Sequence, residues 1–87
     1  KMSELNIVIR TADKARKAEV ALQSTNTCAE VLQAAVDNWK LPTDTDYSLI
    51  NVSTGKSLIT TETLTEGEIK DGDTLEVQPV LVAGSMP

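Results

Sequence analysis

The amino-acid sequence predicts a two-layer α+β domain, in which one helix packs across a mixed sheet of about five strands. Short segments of alternating apolar and polar residues indicate strands, one capped amphipathic segment indicates a helix, and turn residues separate them. Because a single helix has to cover the apolar face of the sheet, we expect two layers. The 87 residues suit one domain. We expect the domain to cover residues 1–80 and a flexible C-terminal tail to cover residues 81–87.

The first half of the chain predicts a hairpin followed by a helix. Residues 5–9 and 18–22 alternate with the period of a strand, and a polar turn joins them. Thr27 and Glu30 then form a capping box, which marks a helix start. Leu41-Pro42 ends the helix, because proline disfavours a helical residue before it. The apolar residues that follow the capping box at helical spacing are Val31, Leu32, Ala35, Val36 and Trp39.

The second half predicts three more strands, at residues 47–52, 57–60 and 74–78. Turn residues at 53–56 and 71–73 separate them, and residues 63–70 should be irregular or a short 3₁₀ turn. Pro79 lacks a backbone N–H, so we expect the last strand to end there.

Charge and composition argue against several functions. The net charge is −5 and the pI is about 4.5, which disfavours binding to nucleic acid and to anionic membranes. The chain has one cysteine and no histidine, so we expect no disulfide, no metal site and no cofactor. There is no signal-peptide pattern and no membrane-spanning apolar run. These features predict a cytoplasmic monomer that is not an enzyme.

Cys28 stands in the first helical turn, where the helix dipole favours a thiolate. Because the sequence supplies neither a histidine base nor a second cysteine, we interpret Cys28 as a small packing residue.

Several short motifs follow one another in an order and with a spacing that point to one family. They are Ile7 and Ile9, Val20 and Leu22, Thr27 and Val31, Leu41-Pro42, Gly55-Lys56-Ser57-Leu58, Thr63-Leu64, and Ile69-Lys70-Asp71-Gly72-Asp73-Thr74-Leu75. Together they resemble ubiquitin and its relatives over about residues 5–84. The resemblance implies a ubiquitin-like β-grasp fold.

The C-terminal tail also resembles that family. Counted from Leu75, Ala83-Gly84 takes the place of the terminal diglycine, and residues 85–87 resemble the extension of an unprocessed precursor. The resemblance implies cleavage between Gly84 and Ser85, followed by conjugation of the Gly84 carboxylate. The implied partners are a processing protease, an activating enzyme and a conjugating enzyme. Glycine suits such a tail because it lacks a Cβ and fits narrow channels.

The tail departs from the family pattern in two ways. Ala83 replaces the first glycine, and the apolar residues Val80, Leu81 and Val82 replace a basic arm. An enzyme that recognises Val80, Leu81, Val82 and Ala83 would need an apolar groove. We therefore expect a bacterial ubiquitin-like modifier with its own conjugation machinery.

The family's partner-binding surface is an apolar patch on the sheet. By resemblance Ile50 takes the place of its central isoleucine, whereas Ala12, Glu76 and Gln78 replace a leucine, a histidine and a valine. Lys56 matches a chain-linkage lysine by position. We predict a partner-binding surface at Ile50, Lys56 and Gln78, although Ile50 is equally explained as an ordinary half-exposed strand residue.

Two other functions stay open. One is a noncovalent adaptor resembling the ubiquitin-like accessory proteins of type VII secretion, and the other is a β-grasp sulfur carrier. The accessory proteins end near the last strand, so the additional residues 80–84 favour the modifier.

Overall fold

The computed structural model describes residues 4–80, and these form five strands and one helix. The predicted order of elements is confirmed. The elements are β1 Glu4–Thr11, β2 Lys17–Gln23, α1 Cys28–Trp39, β3 Asp46–Asn51, β4 Lys56–Ser57 and β5 Thr74–Val80.

The strands form one mixed sheet in the order β2-β1-β5-β3-β4. Strand β5 lies in the centre, parallel to β1 and antiparallel to β3. Strands β2 and β4 form the two edges, each antiparallel to its neighbour. This arrangement confirms the predicted α+β class, with five strands and one helix.

The core lies between the inner face of the sheet and α1. Alternate residues of the central strands face the helix, so the sequence period of two becomes one buried face. Irregular residues between β4 and β5 close the core at one end, and Leu64 among them is fully buried. The fully buried apolar side chains are Ile7, Leu49, Leu64, Leu75 and Cys28.

Both ends of α1 have hydrogen-bonded caps. The Thr27 hydroxyl accepts from the Glu30 amide at 3.1 Å, and the Glu30 carboxylate accepts from the Thr27 amide at 2.9 Å. The predicted capping box is therefore present. At the other end Lys40 adopts a left-handed conformation, and the Leu41 amide donates to the Val36 carbonyl at 3.0 Å. The helix thus ends just before Leu41-Pro42, as expected.

Strand β4 is shorter than the predicted 57–60. After Ser57 the chain turns inward, and Leu58 becomes buried. The next carbonyls then meet the start of the helix: Cys28 donates to Glu62 at 2.8 Å, and Ala29 donates to Thr60 at 2.9 Å. These helix-start amides lack partners within the helix, so this segment caps α1 instead of extending the sheet. Residues 63–70 are irregular turns without a 3₁₀ helix.

Strand β5 is longer than predicted, because it continues through Pro79 to Val80. The Ala12 amide donates to the Val77 carbonyl at 3.0 Å, so the backbone groups of Val77 face β1. Alternation directs the nitrogen of Pro79 to the same side, beyond the end of β1 at Thr11. The backbone groups of Gln78 and Val80 face β3 instead, so the pairing with β3 continues to Val80, which lies opposite Asp46. The expectation that Pro79 ends the strand was wrong for this reason.

Candidate partner-binding surface

The predicted surface residues lie on the part of the sheet formed by β3, β4 and β5. Ile50 lies opposite Glu76, and Ser48 lies opposite Gln78, so Ile50 and Gln78 are diagonal neighbours on adjacent strands. Both side chains are half-buried. Lys56 lies on β4 opposite Asn51, next to the pair of Ile50 and Ser57. The register therefore places Ile50 and Gln78 on one face of the sheet, whereas Lys56, opposite the buried Asn51, is offset by one position and belongs to the other face by alternation.

A polar network occupies the centre of this region. The Arg10 Nε donates to Glu76 Oε1 at 2.9 Å, and the Gln78 Nε2 donates to Glu76 Oε2 at 2.7 Å. Both oxygens of the carboxylate thus have partners within the chain, and the Glu76 side chain is 10% exposed. Arg10 is not among the residues predicted from the sequence. The pairing of β1 with β5, which joins Arg10 to Glu76, is the signal that would have found it.

The network favours the ionised form of Glu76. The hydrogen bond from Gln78, together with the hydrogen bond and charge of Arg10, holds the pKa of the Glu76 carboxyl below its usual range, although burial opposes the shift. A charged, satisfied carboxylate at this position gives the region a polar centre beside Ile50.

Lys56 is exposed and makes a loose ion pair. Its Nζ lies 3.5 Å from Glu68 Oε1, and both side chains are largely exposed. Such pairs contribute little to stability, so the Lys56 amine remains accessible.

The described part of the chain ends with β5. Val80 is exposed at the end of β5. Leu81, Val82, Ala83, Gly84 and Ser85, which carry the predicted recognition, conjugation and processing sites, lie outside residues 4–80.

Cys28 is fully buried at the first turn of α1. Burial, together with the negative charge of Glu62, raises the pKa of the Cys28 thiol. An inaccessible neutral thiol agrees with the interpretation of Cys28 as a packing residue.

Comparison with solved structures identifies the fold. The ubiquitin of Caldiarchaeum subterraneum is similar at 28% identity and a TM-score of 0.75, with 93% of this chain and 99% of that chain covered. This protein has the ubiquitin-like β-grasp fold. A de novo design based on ubiquitin is similar at 24% identity and a TM-score of 0.77, covering 99% of this chain and all of that one. The ubiquitin-like domain of Plasmodium falciparum Dsk2 is similar at 19% identity and a TM-score of 0.71, covering 88% and 99%.

No protein-family model matches the sequence, and no curated protein matches it. The likeness of this ubiquitin-like domain to its structural neighbours thus lies in the fold more than in the sequence. Within residues 4–80 no helix is long and apolar enough to cross a membrane.

Proposed function

We propose that this ubiquitin-like domain is a protein modifier that is made as a precursor, cleaved after Gly84 and conjugated through the Gly84 carboxylate. The observation that carries the proposal is the exit of β5 from the sheet. The central strand β5 ends at the exposed Val80, and Gly84 follows four positions later, after Leu81, Val82 and Ala83. A terminal carboxylate this close in sequence to the end of a central strand suits an activating enzyme that holds the folded domain while it acts on Gly84.

The chemistry proceeds in four balanced steps. Hydrolysis of the peptide bond between Gly84 and Ser85 consumes one water and frees the carboxylate. ATP then adenylates that carboxylate and releases pyrophosphate. An enzyme thiol or hydroxyl displaces AMP, and a target amine finally displaces the enzyme group to form an amide. The absence of a Cβ on Gly84 leaves its carbonyl open to each nucleophile.

The apolar arm determines which enzymes can act. Val80, Leu81 and Val82 carry no charge, so an acidic channel suited to a basic arm would recognise them poorly. We therefore assign this domain to a dedicated activating enzyme with an apolar channel, in a bacterial cytoplasm. Ile50, Lys56 and Gln78 form the predicted contact region for the conjugating enzyme.

The test uses the full chain and a form ending at Gly84, each carrying an N-terminal affinity tag and expressed in the native host. Mass spectrometry of the purified material should show Gly84 joined to amines of other proteins. Gly84→Asp should abolish the adducts. Thr54→Asp is the control, because it introduces the same charge at an exposed turn residue of the folded domain.

The alternatives give different results in the same experiment. A thiocarboxylate mass at Gly84 would favour the sulfur carrier. Partners that copurify without a covalent bond, and equally well with Gly84→Asp, would favour the adaptor. If no adduct forms with either form, the modifier proposal is wrong.

A further inference from the structure

The turn that precedes β5 contains a chemically reactive step, Asp71-Gly72. It is the only place in the chain where a glycine follows an aspartate or an asparagine. A backbone nitrogen can attack the side-chain Cγ of the aspartate before it, and glycine hinders this attack least because it has no Cβ. Both residues are exposed, so the turn holds an electrophile and a nucleophile side by side at the surface.

In the folded domain, one residue of β1 binds both reacting groups. The Asn6 amide donates to Asp71 Oδ1 at 2.7 Å, and the Asn6 carbonyl accepts from the Gly72 amide at 2.7 Å. The first bond fixes the orientation of the carboxylate. The second engages the N–H proton that the Gly72 nitrogen has to lose before it can attack. We call these two hydrogen bonds the Asn6 clamp, and they oppose the reaction while they are formed.

The fold itself requires this reactive pair. Gly72 has a φ of +91°, a conformation that side chains with a Cβ rarely adopt. Asp71 supplies the carboxylate that binds the Asn6 amide. Replacing either residue would weaken the turn that brings the chain into β5, so the structure retains the reactive step and restrains it.

The Asn6 clamp lies beyond the end of the β1–β5 ladder. The parallel pairing begins at Val8 opposite Thr74, and Asn6 comes two residues earlier. Asn6, Asp71 and Gly72 are all exposed, whereas Ile7 and Leu75 beside them are buried. Exposed contacts at the end of a ladder open at a lower free energy than the core. The clamp can therefore open while the sheet and α1 stay packed.

We propose that Asp71 is a site of isoaspartate formation and that the Asn6 clamp controls its rate. When the clamp opens, the Gly72 nitrogen bonds to Cγ of the protonated Asp71 carboxyl. The carboxyl hydroxyl leaves with the N–H proton as one water. One water then hydrolyses the cyclic imide. Cleavage at Cγ restores aspartate, whereas cleavage at the α-carbonyl leaves isoaspartate, with the chain running through Cγ and its mass unchanged.

The modified turn differs from the original in two ways. Its backbone is longer by one methylene, and its side group is an α-carboxylate. This spacing cannot return both groups to Asn6, so the turn stays open once it is modified. The exposed α-carboxylate is the chemical class that isoaspartyl methyltransferases esterify with S-adenosylmethionine. The site thus records how often the start of β1 has left the turn, and it does not involve Gly84.

The test measures isoaspartate in the full chain during incubation at physiological temperature and neutral pH. Methyl transfer from S-adenosylmethionine by an isoaspartyl methyltransferase gives the amount, and electron-transfer mass spectrometry gives the position. A synthetic peptide of residues 67–76 reports the rate without the fold. We expect isoaspartate at Asp71 in both, formed at least about tenfold more slowly in the folded chain. Asp71→Glu should abolish the signal, because its larger ring closes far more slowly.

Two proline variants test the clamp directly. Asn6→Pro removes the N–H that binds Asp71, and this N–H faces the turn instead of β2, so the β1–β2 ladder keeps its bonds. We expect the folded variant to form isoaspartate at least about threefold faster than the parent. Glu4→Pro is the control. It removes an N–H on the same side of β1, at a position that is not paired with β5, and should leave the rate unchanged.

Urea gives a second measurement that needs no variant. At concentrations below the unfolding transition, the logarithm of the rate in the parent should rise linearly with urea. Its slope should be smaller than the m-value of global unfolding, because opening the clamp exposes less surface than unfolding the domain.

Four outcomes would overturn the proposal. If neither the chain nor the peptide forms isoaspartate at Asp71, the step is not a modification site. If the folded chain reacts as fast as the peptide, the clamp does not restrain it. The same follows if Asn6→Pro shows a normal fold by circular dichroism and an unchanged rate. A urea slope equal to the global m-value would show that the reaction needs complete unfolding.

Discussion

The replacement of Asn51 by alanine tests how the β3–β4 end of the sheet is held to the start of β5. Asn51 is 1% exposed. Its Nδ2 donates to Asp73 Oδ2 at 2.9 Å, and its Oδ1 accepts from the Ser53 amide at 3.0 Å. Asp73 Oδ2 also accepts from the Lys70 amide at 2.9 Å. The Asn51 side chain thus joins the turn after β3 to the turn before β5, and its partner Asp73 lies 22 residues away in the chain.

The two bonds differ in strength. The bond to Asp73 involves a carboxylate, and such bonds contribute about 1.5–3 kcal/mol. The Ser53 amide lies in an exposed turn, where water replaces the lost partner at small cost. We therefore expect Asn51→Ala to lower the free energy of unfolding by about 2 kcal/mol. For a domain of this size the loss corresponds to a fall in Tm of roughly 8–16 °C.

The measurement is urea unfolding followed by circular dichroism, with Asn38→Ala as the control. The Asn38 side chain is exposed and donates to the Ala34 carbonyl within the helix, and alanine is a good helix former. The control should therefore stay within about 0.5 kcal/mol of the parent. A loss below about 0.5 kcal/mol for Asn51→Ala would show that the bond to Asp73 does not stabilise the fold.

Asn51→Asp gives a second, independent check. It keeps an acceptor for the Ser53 amide but places a carboxylate beside Asp73 where a donor stood. Two carboxylates at this separation repel each other unless one holds a proton. Asn51→Asp should therefore be more destabilised than Asn51→Ala at pH 7 and should recover relative to it near pH 4. Equal losses for the two variants at both pH values would refute this explanation.

Three further predictions concern the network, the helix cap and the core. The Glu76 pKa is lowered in the folded state, so the stability that its ionised form provides is present above its ordinary pKa and is lost as pH falls through the folded value. The free energy of unfolding measured in urea should therefore be higher for the parent than for Glu76→Gln at pH 7, and the difference should shrink on acidification. A difference that does not change with pH would contradict this prediction. Thr27→Ala should cost about 0.5–2 kcal/mol in the same assay, against little change for the exposed Thr25→Ala. Leu64→Ala should cost about 2–5 kcal/mol although no regular element contains it, and a loss under about 1 kcal/mol would show that this segment does not close the core.

Local signals determined most of the fold. Each of these signals spans only a few consecutive residues, so a sequence pattern suffices to predict it. Examples are the strand period at 5–9 and 18–22 and the capping box of Thr27 and Glu30. The short β4 and the long β5 could not be predicted that way. The first depends on carbonyls that cap a helix more than thirty residues earlier, and the second depends on which neighbour the nitrogen of Pro79 faces.

The same limit applies to the candidate site. Ile50 and Gln78 were predicted from a resemblance in order and spacing, and the register places them together. Arg10 was missed because it meets Glu76 only through a parallel pairing that joins positions 66 residues apart.

The network beside Ile50 constrains how a partner can bind there. The carboxylate of Glu76 is already bound on both oxygens by Arg10 and Gln78, and a partner that displaced them would leave a largely buried charge unpaired. Such a loss is costly. We therefore expect a partner at Ile50 to pack beside the network and to leave the hydrogen bonds of Glu76 intact.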